Sequence, residues 1–274
     1  MKKTTFDIRS YWRPDGEQPE AIARNFLATI DRVNQLDPSI ANWDVVDLPN
    51  LTGYPLVEAR ARMPALVAHN VHRDLDGQPD PNGGYWSCAM SNDAPGRDGD
   101  DKSKTFRVTA GSKWRNCAEF EVGSLGAPPD PALVTYPLYR QVLEIVASIW
   151  PAPWAWARAI MSRGDEGRSW TPPAAGATKD EWLASMLAAQ PPPSVEVPWM
   201  LYLSAPFAEG LAPPPELSVE RTPGGGLILS AMLERPAPEN PDHLRRGRML
   251  GAIMDERLGA GDKVTGWGPR TGPY

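Results

Sequence analysis

After Pro19, apolar side chains at Ile22, Phe26, Leu27, Ile30 and Val33 recur every three or four positions, the spacing of one helical face. Asp37-Pro38 closes that run, because a residue before proline is driven out of helical geometry. The stretch that follows is less regular, with Trp43 and a short helix expected from Leu56 to Arg62 that Pro64 would stop. From Gly83 the period changes to two. Tyr85-Trp86-Ser87-Cys88-Ala89-Met90, Thr105-Phe106-Arg107-Val108-Thr109 and Cys117-Ala118-Glu119-Phe120-Glu121-Val122 read as three sequential strands. Their connectors are too short for crossover helices, which favours antiparallel pairing.

Pro137 opens a second helix whose stripe is Leu138, Val142, Ile145, Val146 and Ile149, closed by Trp150-Pro151. Trp154 to Ile160 reads as a strand, although its alanines would equally suit a helix. A Gly/Pro/Ala-rich linker over 164–178 leads to a short helix from Glu181 to Ala189. Trp199 to Leu203 is a buried strand, and Leu217 to Glu220 and Leu227 to Ser230 flank Thr222-Pro223-Gly224-Gly225-Gly226 as a hairpin. The last helix starts at Asn240-Pro241, with Leu244, Leu250, Ile253 and Met254 on its apolar side and Gly259 past its end. This order predicts an α+β fold, a layered antiparallel sheet with amphipathic helices on one face. We expect one domain over 1–274, with two similar sub-halves, 1–163 and 179–274, on either side of the linker.

Composition narrows the function. With 274 residues, 41% of them hydrophobic, a sizeable core is expected, and the 31 prolines fall in short connectors between ordered segments. No apolar run reaches the roughly 18 residues of a membrane span, and no hydrophobic region follows Lys2-Lys3, so a cytoplasmic protein is expected. A net charge of −6 without a basic stripe argues against nucleic acid as a partner. Cys88 and Cys117 belong to no CxxC or Cys/His cluster and read as reduced strand residues.

Candidate chemistry is sparse. His69 and His72 with Asp74 and Asp76 would make a metal site only on an ordered element, and they run into the loop-like Asp76-Gly77-Gln78-Pro79. His243, in the first turn of the last helix, suits packing or capping. No G-x-S-x-G is present, and Gly224-Gly225-Gly226 lacks the lysine of a phosphate loop. Trp43, Trp150 and Trp199 read as core anchors. We therefore expect no catalysis, no cofactor and no metal. Between Asp74 and Asp101, seven aspartates (74, 76, 80, 93, 98, 100 and 101) face a single Arg97. That segment reads either as a solvated loop or as an acidic surface that docks a basic partner, with Asp93, Asp98, Asp100, Asp101, Tyr85 and Trp86 as the contact residues. Edge strands would be compatible with a homodimer.

Tyr11-Trp12-Arg13-Pro14, the helix from Glu20 to Leu36 and its exit Asp37-Pro38-Ser39-Ile40-Ala41-Asn42-Trp43 resemble the opening of the immunity protein 52 family of bacterial toxin-neutralising proteins. Pro198-Trp199-Met200-Leu201-Tyr202-Leu203-Ser204, Gly224 to Leu229 and Glu239-Asn240-Pro241-Asp242-His243 are similar to that family's later motifs in order and spacing. The Pro-rich insertions and the tail from Trp267 to Tyr274 depart from the pattern. The resemblance implies a protein that binds and neutralises a cognate antibacterial toxin, a nuclease of the restriction-endonuclease-like kind delivered by routes such as type VI secretion. An effector chaperone or adaptor is the alternative from the same setting, and a small hydrolase using His69 or His72 the alternative from another.

Overall fold

The computed structural model describes residues 3–13, 16–50, 52–74, 76–80, 82–91, 103–113, 116–123, 129–162 and 194–258. Ten strands form one sheet: β1 (Lys3–Trp12), β2 (Trp43–Asp47), β3 (Thr52–Pro55), β4 (Tyr85–Ser91), β5 (Lys104–Ala110), β6 (Asn116–Val122), β7 (Trp154–Ser162), β8 (Ser194–Leu203), β9 (Ser218–Arg221) and β10 (Leu227–Ser230). Their order is β3-β2-β4-β5-β6-β1-β7-β8-β10-β9, antiparallel throughout. The helices are α1 (Pro19–Asn34), α2 (Leu56–Ala59), α3 (Met63–His69), α4 (Tyr136–Ile149), α5 (Ala205–Ala208) and α6 (Pro241–Leu258). The fold is α+β, as expected.

The first strand was not foreseen, yet it lies at the centre of the sheet. In β1 the residues Phe6, Ile8, Ser10 and Trp12 turn to one face and Asp7, Arg9 and Tyr11 to the other, as strand geometry requires. Phe6 meets Tyr139 of α4 edge-on at 6.3 Å, and Trp12 stacks on Trp150 at 5.0 Å, which identifies the helix-covered face. Two buried donors fix α4 there. The Tyr139 hydroxyl donates to the Phe6 carbonyl (3.2 Å), and Trp150 Nε1 donates to Thr29 Oγ1 of α1 (3.0 Å). Phe26 of α1 tilts against Phe106 of β5 at 5.2 Å. Each such ring contributes roughly 1.5–3 kcal/mol through burial, and Trp43, Trp150 and Trp199 are core anchors at 3%, 1% and 0% exposure.

The irregular stretch before Gly83 is ordered. Residues 43–55 form the β2–β3 hairpin, and α2 runs through a 3₁₀ turn at Arg60–Arg62 into α3. Pro64 lies in the first turn of α3 and so starts a helix where it was expected to stop one; there its missing N–H costs nothing. Trp154 to Ile160 is a strand, and its alanines 155, 157 and 159 are fully buried. Opposite them, Trp199 is the extra residue of a bulge, with Ala157 facing Met200 and Arg158 facing Pro198. Its indole N–H is satisfied by the Met232 carbonyl at 3.1 Å. The 222–226 turn joins β9 to β10 as expected, and Asn240 Oδ1 accepts from the Asp242 N–H at the start of α6. The linker 164–178 and the helix expected from Glu181 to Ala189 lie outside the described residues. Among the described residues no helix is long and apolar enough to cross a membrane.

Candidate functional site

Strand alternation gives the sheet a second face, turned away from α1 and α4. On β4 it carries Trp86, Cys88 and Met90, on β5 Arg107, on β6 Glu119 and Glu121, and on β1 Asp7 and Arg9. Trp86, Met90 and the Arg107 side chain are 45%, 48% and 49% exposed, so large apolar groups and a cation meet solvent on rigid strands.

Inward from this rim a charge ladder crosses five strands. Arg158 of β7 is held by both oxygens of Asp7 (2.8 and 3.0 Å) and by Glu196 of β8 (2.5 Å). Arg9 bridges Asp7 (2.8 Å) and Glu119 (2.5 Å), and Arg107 bonds to Glu121. Burial works against the guanidiniums of Arg9 and Arg158, but the carboxylates beside them win and raise both above the ordinary arginine value. Glu121 shifts up, through burial first and through its neighbours Glu119 and Asp7, with Arg107 opposing. Burial also raises the Cys88 thiol to about 11.

Of the expected contact residues, Asp93, Asp98, Asp100 and Asp101 lie outside the described residues. Tyr85 and Trp86 are adjacent on β4 and therefore point to opposite faces: Tyr85 packs on the core and Trp86 meets solvent. Of these two, Trp86 belongs to the open face. Asp74 and Asp80 shape their own loop, Asp74 Oδ1 accepting from the Asp76 and Gln78 N–H groups and Asp80 Oδ1 from the Asn82 N–H. The two neighbouring histidines serve different carboxylates. His69, the last residue of α3 and so not in a loop, faces Asp47 (3.0 Å), while His72 lies 3.6 Å from Asp80 and beside the Trp86 ring. Among the described residues no group of three or more His, Cys, Asp or Glu could hold a metal ion. His243 Nδ1 accepts from the Ala237 N–H and so ties the turn before α6 to that helix.

Sequence reading missed a cleft of about 1070 Å³ at the other end of the helical layer. One wall is the last turns of α4, with Glu144, Ala147 and Ser148; the other is Tyr202, Phe207 and the Thr222–Gly224 turn. Arg13 and Arg32 stand at its rim, and Glu144 is bonded to Arg140. Burial, with Glu144 nearby, raises the Tyr202 phenol above its usual value. No signal along the chain could have assembled these residues, which come from five separate segments.

The class the coordinates define is an α+β protein built on one ten-stranded antiparallel sheet. No protein-family model matches the chain, and no curated protein matches it. Among solved structures it is similar to a protein described as "Pseudomonas aeruginosa T6SS protein PA0821", with a TM-score of 0.50 over 97% of this chain and 81% of that one. Sequence identity is 12%, so the likeness is one of fold.

Proposed function

We propose that this protein is an immunity protein that binds a cognate antibacterial toxin, a restriction-endonuclease-like nuclease, and neutralises it in the cytoplasm by covering its active site. The observation that carries the reading is where the resembling motifs fall. Tyr11-Trp12 ends the central strand β1, Glu20 to Asn34 lies in α1, Trp43 opens β2, Pro198 to Leu203 is the end of β8, Gly224 to Leu229 runs from the β9–β10 turn into β10, and Pro241 starts α6. Most of the motif residues thus lie in the framework of the fold. The likeness to a T6SS protein along nearly the whole chain agrees with the same setting.

Such a protein acts by binding and needs no catalytic group, cofactor or nucleic-acid surface. A nuclease presents a cationic cleft to phosphates, and a protein of net charge −6 complements it. The test is co-expression with the effector encoded beside its gene. Abolished toxicity in the recipient cytoplasm supports immunity; a toxin that stays lethal while its level or export rises would identify a chaperone and sink the reading. In the purified complex, Trp86→Ala should weaken binding by about tenfold or more, as removal of an exposed aromatic anchor does, with folding unchanged. Asp98, Asp100 and Asp101 changed together to Asn should lower both affinity and its salt dependence. Undiminished binding by that triple variant removes the loop from the interface.

A further inference from the structure

We propose that the cleft between α4, α5 and the β9–β10 turn is a binding site for an apolar carboxylate, whose charged group is held by Arg13 and Arg32. The cleft lies on the helix-covered side of the sheet and is independent of the toxin-binding reading. Its volume of about 1070 Å³ suits a small organic molecule or the last residues of a peptide chain. The floor is closed by Trp12, which is 1% exposed and stacked on Trp150, and the walls are largely apolar through Ala147, Pro151 and Phe207.

Charge decides the ligand's chemistry. Arg13 and Arg32 are exposed, and among the described residues neither forms an ion pair; Arg32 donates only to Ser148 Oγ at 3.2 Å. Glu144, the acid in the wall, shares Arg140 with Glu220, which lies 3.0 Å from that guanidinium. The C-terminal ends of α1 and α4 each contribute about half a negative charge nearby. Arg13 and Arg32 are nevertheless the charged groups at the rim that are exposed and without an ion pair among the described residues, so they are the ones open to a ligand. A second observation lies on the opposite wall: Thr222 is 8% exposed, and its hydroxyl has no hydrogen-bond partner. A buried hydroxyl without a partner costs stability, and a ligand acceptor that reached this wall would satisfy it. The rest of the cleft supplies apolar contact, with the Tyr202 and Phe207 rings as stacking surfaces.

Four probes test this on the full chain by ligand-observed NMR and calorimetry: 3-phenylpropionate, 3-phenylpropanamide, and acetyl-Leu-Phe with a free or an amidated carboxyl end. Both carboxylates should bind, each about tenfold more tightly than its amide, since a charge-assisted contact is what distinguishes them. R13Q and R32Q should each remove most of that preference while leaving amide binding unchanged; both side chains are exposed, so folding is not at stake. F207A should weaken acid and amide alike. A free-ended peptide that binds more tightly than 3-phenylpropionate assigns the site to a chain terminus, and the reverse order assigns it to a free acid; either supports the proposal. It is overturned if no probe binds at about 10 mM, the weak limit for a specific site of this size, if acid and amide bind equally, or if both arginine variants retain the preference.

Discussion

At the scale of single residues, the ion pairs under the open face are the most consequential. Arg158 and Asp7 are each only 2% exposed in their side chains, so each has given up its hydration for the other. Breaking such a pair leaves a buried charge alone, which costs about 3–5 kcal/mol, whereas replacing both partners by apolar groups of similar size is often neutral. Asp7→Ala should therefore lower the unfolding free energy in urea by that amount. Asp7→Leu combined with Arg158→Met should recover most of it. A loss below about 1 kcal/mol for Asp7→Ala would mean that water or Glu196 takes up the Arg158 charge.

Glu121 shows the opposite balance. Its raised pKa means that the folded chain holds the proton more tightly than the unfolded one. The stability this gives is complete below the usual glutamate range and is lost as pH rises through the folded value. Glu121→Gln should thus gain on the parent as pH rises above the usual glutamate range in urea titrations, and a variant that instead loses ground as pH rises would reverse the sign of the burial effect.

At the scale of elements, Gly84 governs how β4 begins. It holds φ at +72°, and a Cβ there would lie 2.5 Å from both the Ala110 carbonyl oxygen and the Ser112 nitrogen. Left-handed backbone costs a side-chain-bearing residue about 1–2 kcal/mol before the clash is counted, so Gly84→Ala should lose at least about 2 kcal/mol in urea unfolding. It should also shift the fluorescence of Trp86 two residues on. An unchanged midpoint would show that the loop moves aside.

The same scale explains what could be read along the chain. α1, α4 and the β4–β6 meander announced themselves because one face of each is apolar at regular spacing. β1 carries the same alternation in Phe6 and Ile8 between Asp7 and Arg9, but over a few residues only; what the pattern misstates is burial, since Asp7 looks solvent-facing and is buried in an ion pair. The Asp7–Arg158 partnership spans 151 residues, so no local pattern carries it. Trp86 was legible as an aromatic in a short strand, but grouping it with Tyr85 ignored the alternation that sends them to opposite faces. The cleft was invisible for the same reason as the ladder, its walls being distant in sequence.

At the scale of the whole molecule, one sheet joins the two parts of the chain on either side of 163–193. β7 pairs with β8 over nine register positions, from Trp154 opposite Leu203 to Ser162 opposite Ser194. At this seam Trp154, Trp156, Leu201 and Leu203 are all at most 3% exposed. Burying these four side chains contributes roughly 6–12 kcal/mol, within the range of about 4–15 kcal/mol that association of two bodies costs. The backbone ladder, Arg158 with Glu196, and the Trp199 contacts with Phe6 and Tyr139 come in addition and tip the balance toward assembly. A chain divided into 1–170 and 180–274 should therefore reassemble: the co-expressed pieces should copurify one to one and elute at the size of the intact protein. Each piece alone should fail to unfold cooperatively, since β7 or β8 would be left as a bare edge lined with buried-type side chains. Two pieces that each fold and do not associate would show that the seam between β7 and β8 adds little to stability, and that the sheet is continuous in hydrogen bonding without being one cooperative unit.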